Sequence, residues 1–234
     1  MHSHTEPARL HAEGAADWDA SEAVLAWLAR ELRPGFVTLE TGAGRSTLAF
    51  AAAGCAHEAV TPSASEIAAI AREAAARGVD MGEVRFHEGF SQDILPTLPA
   101  GERYDVVFID GGHGFPVPAV DFQFLAPRLK VGGALLIDDV DLWTGDMIVQ
   151  VLKRDPDWRF EGLLRGRTAV FRKTAPFAPH EWTRQAYVRR KSFWPQTRRK
   201  LMNGLRLVAA GRPGALVGKL ANERRLARAA RNDR

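Results

Sequence analysis

Side chains able to do chemistry are concentrated in a few short segments of the 234-residue chain. In Glu40-Thr41-Gly42-Ala43-Gly44-Arg45-Ser46-Thr47, Gly42 and Gly44 permit positive φ and let ligand atoms approach the backbone closely. Glu40 can accept hydrogen bonds from a cationic amino group. Ser46 and Thr47 can cap a following helix or meet a ligand carboxylate at its N-terminus. Thr47 stands where a dinucleotide-binding Gly-x-Gly-x-x-Gly has its third glycine, and no Gly-Lys-Ser/Thr follows. Neither a nicotinamide-dinucleotide loop nor a nucleotide-triphosphate loop is therefore expected. Asp110, Asp138 and Asp139 each close an apolar run, and such hard carboxylate oxygens suit Mg²⁺. His113 sits in Gly111-Gly112-His113-Gly114, where packing explains little, and is a candidate general base. The other histidines (His2, His4, His11, His57, His87, His180) have no comparable context and receive no role.

These residues need elements to position them. Trp18 to Leu32 reads as a helix that stops at Arg33-Pro34-Gly35. Strands are then predicted at 36–39, 58–61, 84–87, 104–110 and 133–138, alternating with helices at 46–53, 65–77, 120–129 and 145–154. Two final strands, 158–163 and 168–172, are joined by Leu164-Arg165-Gly166-Arg167 as a hairpin, which makes the last strand antiparallel. Alternating strands and helices imply an α/β fold, a mostly parallel sheet with helices on both faces. Ligands bind such sheets beyond the carboxyl ends of the strands, which is where the chemical residues fall.

Four ordered segments carry a resemblance. Leu39-Glu40-Thr41-Gly42-Ala43-Gly44 resembles the first motif of the class I S-adenosylmethionine-dependent methyltransferases. Gly89-Phe90-Ser91-Gln92-Asp93-Ile94-Leu95-Pro96 resembles the segment that family places beside the adenine. Residues 104–113 (Tyr-Asp-Val-Val-Phe-Ile-Asp-Gly-Gly-His) and 129–140, with Asp138-Asp139 at the end, resemble its fourth- and fifth-strand signatures. The subgroup suggested is the bacterial, O-methyltransferase-like one with Ile-Asp-Gly-x-His and Asp-Asp strand ends. The resemblance covers about residues 36 to 173 and implies a Rossmann-like, seven-stranded sheet. It implies cofactor contacts from Glu40, Gly42, Gly44, Ser46, Thr47, Gly89, Phe90, Ser91 and Asp110. The family's second strand usually ends in an acid that binds the ribose, whereas this one ends Val60-Thr61-Pro62-Ser63. Thr61 or Ser63 could give a weaker hydrogen bond. Glu66 is either a ribose ligand or the acid of a capping box begun by Ser63.

The resemblance also makes the fourth and fifth strands neighbours, so Asp110, Asp138 and Asp139 would share one rim. Crowded carboxylates repel one another and raise their pKa values, which a cation or a positive ligand relieves. Three readings follow. The three aspartates hold a divalent cation that acidifies a substrate hydroxyl, as in catechol-type and macrolide-sugar O-methyltransferases. Alternatively, His113 is the base, with Asp110 and Asp138 beside it as further catalytic candidates. In the third, Asp138 and Asp139 merely cap the next helix or bind backbone amides. Phe115-Pro116-Val117-Pro118 and Trp143 are candidates to line an acceptor pocket, or else a stiff turn and a core aromatic.

Composition bounds the rest. From Arg184 to Arg234 there are 15 Lys and Arg against two acids, which leaves 17 bases and 26 acids in the first 183 residues. The net charge of +4 therefore hides a body near −9 and a tail near +13. Residues 1–15 are expected to be disordered, 16–174 to form the cofactor-binding domain, and 175–234 a basic helical extension. Leu201, Leu205 and Val208 share a helical face, continued by Leu216, Leu220 and Leu226 after a Gly-Arg-Pro-Gly break. This tail is expected to contact a membrane surface or a protein partner in preference to nucleic acid. No secretory signal or membrane span is expected, and the single Cys55 fits the core of a cytoplasmic protein, with peripheral attachment to the inner membrane surface an option. The expected function is O-methylation of a small-molecule or glycan hydroxyl, with homo-oligomerisation left open. The alternatives are a non-catalytic protein of the same fold acting through its tail, and a nucleic-acid methyltransferase. Absence of an Asn-Pro-Pro-Tyr type of strand end argues against base N-methylation.

Overall fold

The computed structural model describes residues 20–211, together with 214, 215, 217, 218, 222 and 225. The N-terminal residues read as disordered, Trp18, and the Leu216, Leu220 and Leu226 stripe lie outside the described residues. Ser21 caps the first helix, α1 (Glu22–Glu31), by accepting the Val24 amide. There follow β1 (Val37–Thr41), α2 (Arg45–Ala52), β2 (Ala56–Thr61), α3 (Ala64–Arg77), β3 (Val84–Glu88) and the short α4 (Ser91–Ile94). The chain continues through β4 (Tyr104–Ile109), α5 (Val117–Leu125), β5 (Leu129–Ile137), α6 (Trp143–Leu152), β6 (Trp158–Leu164) and β7 (Thr168–Lys173).

The strands form one seven-stranded sheet in the order β3-β2-β1-β4-β5-β7-β6, and β7 runs antiparallel to both its neighbours. All the other pairings are parallel. The expected hairpin is present. Arg165 and Gly166 both have positive φ and the Arg167 amide donates to the Leu164 carbonyl, a turn whose twist suits flanking strands. Alternation sends Val107, Ile109, Leu135, Ile137 and Phe171 to one face, under α5 and α6. Val106, Phe108, Ala134, Leu136 and Val170 go to the other, under α1 and α2. Cys55 lies buried there, and burial pushes its thiol up to about 11.

Several boundaries differ from the sequence reading, among them the start of β5 at Leu129, four residues early. Helix α5 starts at Val117, three residues early, because Pro118 in the first turn removes an amide that would have no helical partner anyway. It also ends at Leu125, because Leu129 already pairs with Tyr104 as the start of β5. The chain divides into two compact units after His180, past the expected boundary at residue 174. Phe177 packs edge-on against Phe122, and His180 Nε2 lies 2.9 Å from the Asp157 carboxylate, so this stretch belongs to the first unit. The second unit contains α7 (Ala186–Ala209).

Lys173 closes the sheet. Its fully buried Nζ donates to the carbonyls of Ala126 (3.1 Å) and Leu129 (2.5 Å) and to Glu102 (2.9 Å). Lys173→Met leaves two carbonyls without a donor and should cost about 2–4 kcal/mol in urea unfolding. Glu102→Gln, at the more exposed end of the pair, should cost less than about 1 kcal/mol.

Candidate active site

The carboxyl ends of β1, β2 and β4 open into a cavity of about 760 Å³, within the range of small-molecule sites. The chain order reverses there, since β2 and β3 lie on one side of β1 and β4 on the other. Gly42, Gly44, Ser46, Thr61, Ser63, Phe90, Ser91, Asp110 and His113 all line this cavity, as does Glu66.

Glu40 does not. Its carboxylate is buried behind the loop, where it accepts Ser46 Oγ at 2.5 Å and Thr47 Oγ1. Thr47 Oγ1 in turn accepts the Gly44 amide at 3.0 Å. On the other side, His57 Nε2 lies 3.2 Å from Glu40, and His57 Nδ1 lies 2.8 Å from Thr38 Oγ1. Phe50 stacks on the imidazole at 4.3 Å. Ser46 and Thr47 therefore hold Glu40, and through it the loop. The helix-capping role expected of them falls in part to Thr47. His57, assigned no role from sequence, is a member of this buried cluster.

The two glycines differ. Gly42 uses its freedom, with φ +85°, and any Cβ there would overlap the Asp110 carbonyl. Gly44 has φ 178°, an extended conformation open to any residue, so the expected positive φ applies only to Gly42. Gly89 does not line the cavity; its amide donates to the Thr61 carbonyl at 2.9 Å and turns the chain into Phe90, whose ring is 58% exposed on the cavity wall. At the end of β2, Thr61 Oγ1 donates to Glu66 at 2.9 Å while Ser63 Oγ accepts the Glu66 amide at 3.2 Å. Glu66 is thus both capped by Ser63 and present in the cavity wall.

Asp110 carries the strongest electrostatic signal. Burial first, then the charges of Asp138 and Glu40, a hydrogen bond with Asp138 and the charge of Asp139 push its carboxyl well above the usual range. The other two aspartates are already engaged. Asp138 accepts Thr168 Oγ1 at 2.6 Å. Asp139 has φ +51° and takes the Arg167 guanidinium at 2.5 Å on one oxygen and His113 Nδ1 at 2.8 Å on the other. Asp138 and Asp139 lie outside the cavity lining. Three open carboxylates facing one cation, as expected for a metal site, are therefore not what the rim presents. Among the described residues, the ligand atoms of Asp155, Asp157 and His180 converge within 4.8 Å; Asp110, Asp138 and Asp139 do not form such a group. The positive partner of the rim is Arg167, from the hairpin turn.

Phe115 and Trp143 are 69% and 64% exposed, with ring centroids 6.2 Å apart. Trp143 is therefore not a core aromatic. Thr144, next to it, donates its hydroxyl to the His113 carbonyl at 2.7 Å and ties the His113 loop to α6.

Sequence reasoning missed Asp121. Its carboxyl is fully buried beside the hydroxyls of Ser91 and Thr41, but neither its oxygens nor Thr41 Oγ1 form a well-placed hydrogen bond. Burial pushes its carboxyl up, opposed in part by Ser91 and Thr41. A carboxyl raised in the folded state favours folding below its ordinary value and loses that contribution as pH climbs toward the shifted one. Asp121→Asn should accordingly unfold at higher urea than the parent at pH 8. The difference should shrink toward pH 4.

Residues 39–140 match the model of a family described as a methyltransferase domain. Among solved structures, the SAH-bound methyltransferase PaMTH1 of Podospora anserina is 22% identical, with 68% of this chain and 81% of that chain covered at a TM-score of 0.54. The O-methyltransferase TomG of Streptomyces achromogenes, involved in tomaymycin synthesis and solved with SAM, is also 22% identical, covering 68% and 83% at 0.54. A putative O-methyltransferase from Klebsiella pneumoniae is 18% identical over 67% and 82% at 0.55. At these identities the structural likeness is one of fold. No curated protein matches the chain.

Proposed function

We propose that the chain, whose residues 39–140 match the model of a methyltransferase domain, is a class I S-adenosylmethionine-dependent methyltransferase that methylates a hydroxyl group of a small-molecule or glycan acceptor. The observation that carries the reading is the His113–Asp139 pair, 2.8 Å long, with His113 on the cavity wall.

The cavity fits the cofactor by its donor set. Gly42 admits no Cβ, Phe90 offers an exposed ring face for a purine, and Glu66 with Thr61 supplies acceptors for ribose hydroxyls in place of a strand-end acid. Asp110 offers a carboxylate to a cationic ligand. When bound, S-adenosylmethionine supplies a sulfonium methyl, already a strong electrophile, so the protein's share is positioning and proton removal. An ionised Asp139 only accepts, so His113 Nδ1 donates to it and the neutral imidazole carries its lone pair on Nε2. His113 takes the acceptor's hydroxyl proton at Nε2, and Asp139, fixed by Arg167, stabilises the imidazolium that results. Phe115 and Trp143 lie outside the cavity lining, and their exposed rings, 6.2 Å apart, offer the acceptor an apolar contact. No step is assigned to a metal, because Arg167, Thr168 and His113 already occupy Asp138 and Asp139, two of the three carboxylates expected to bind one.

Calorimetry with S-adenosylmethionine should show binding, and its absence at millimolar cofactor would remove the enzymatic reading in favour of a non-catalytic one. His113→Ala should lower kcat on a hydroxyl acceptor by about 10²–10⁴ while cofactor Kd moves less than about threefold. Trp143→Ala should raise acceptor KM by about tenfold with kcat little changed. A His113→Ala protein that turns over normally would refute the assignment of the base.

A further inference from the structure

Helix α7 holds seven Lys and Arg and no acid in its 24 residues, and none of its side chains is buried. Tyr187, Trp194, Leu201, Leu205 and Val208 follow one another at intervals of seven, seven, four and three residues, spacings that place them on one stripe of a helix. Trp194, Leu201, Leu205 and Val208 are between 54% and 74% exposed. Arg189, Arg199, Lys200 and Arg206 occupy the opposite side, and Arg190, Lys191 and Arg198 border or interrupt the stripe with long aliphatic stems. No helix among the described residues is long and apolar enough to cross a membrane.

An exposed apolar stripe on a helix with only positive charge is suited to a surface that is apolar beneath and negative above. We infer that α7 is an interfacial helix that holds the protein on an anionic lipid surface, lying in the headgroup plane with the Trp194–Val208 stripe toward the acyl chains. The choice of occupant rests on both halves of the pattern. Phosphate headgroups meet the seven cations, each contributing about fivefold in affinity near such a surface. Aliphatic Leu201, Leu205 and Val208 have nothing to gain from a nucleic-acid backbone, whereas acyl chains accept them. Trp194, stacked edge-on with Phe193 at 5.5 Å, is an amphipathic ring of the kind enriched at headgroup depth. Arg190 and Lys191, which border the stripe, line a recess together with these rings, which places cations beside the apolar face. This attachment is independent of the methyl-transfer reading.

The test is co-sedimentation of the full chain with phosphatidylcholine vesicles, with and without about one-third phosphatidylglycerol. Binding to the anionic vesicles should exceed that to the neutral ones by at least about tenfold and should fall steeply as salt approaches about 0.5 M. Leu201→Glu with Leu205→Glu should cut anionic-vesicle binding by about tenfold or more. Arg199→Gln with Lys200→Gln should cut it by about the product of two fivefold factors. Cofactor affinity should stay unchanged in both, which also shows that the first unit is folded. Equal binding to the two vesicle types, or no binding to either, overturns the inference. So does a leucine variant that binds as well as the parent while the Arg199/Lys200 variant is lost, since that pattern marks a polyanion such as RNA as the occupant.

Discussion

Glu40 brings a carboxylate to a place almost closed to water, and a charge there is tolerated only when its lone pairs are filled. Ser46, Thr47 and His57 fill them. The donors come from two different elements of the site. Ser46 and Thr47 are the first turn of α2, Thr47 in turn receives the Gly44 amide, and His57 comes from the neighbouring strand β2. The carboxylate therefore fixes the start of α2, the glycine loop and the β1–β2 pair with one set of hydrogen bonds. The cavity behind which it lies has its shape because that set is complete. Removing one donor would leave the remaining charge under-satisfied.

At the rim the same problem is solved with a different sign of partner. Asp110, Asp138 and Asp139 are close enough to raise the proton affinity of the first, yet two of the three are compensated within the chain. Thr168 serves Asp138, and Arg167 serves Asp139. Both residues come from the turn and first position of the antiparallel strand β7, which the sheet inserts between β5 and β6. The hairpin is thus more than an edge of the fold. Its reversal of direction delivers a guanidinium to the end of β5, where a parallel strand would have begun at the opposite edge. With Asp139 held in this way, its second oxygen is directed to His113, and an isolated loop histidine becomes an oriented one.

What could be read from sequence follows from how local each feature is. The strand order of chemistry-bearing residues, the hairpin and the mostly parallel sheet are written in apolar periodicity and turn residues, which act over a few positions. The cavity-lining set Gly42, Thr61, Phe90, Asp110 and His113 was legible for the same reason, because each lies at or shortly after a strand end. The partners were not. His57 meets Glu40 because the β1–β2 register sets Thr38 opposite His57, and nothing near His57 in the chain announces it. Arg167 meets Asp139 only after β7 has crossed to lie beside β5. Asp121 sits on an apolar helix face and looks like an ordinary surface acid until α5 is laid against the sheet. The expectation of three open aspartates came from counting charges at strand ends without the basic residue that topology supplies.

The residual asymmetry lies at Asp110. With Asp138 and Asp139 paired, it remains the cavity-lining carboxyl of the three, and the surrounding negative charge that raises its proton affinity would also raise its affinity for another cation. A proton and a cationic ligand then compete for one position, and either relieves the same repulsion. Because the competing groups lie in a buried cleft, screening by salt is weak and the competition depends on pH more than on ionic strength. The contrast with the second unit is instructive, since the exposed cations of α7 act through a field that salt does screen. One chain thus uses charge in two regimes: a few buried carboxylates whose protonation is set by their neighbours, and an exposed run of bases whose effect is set by the solution.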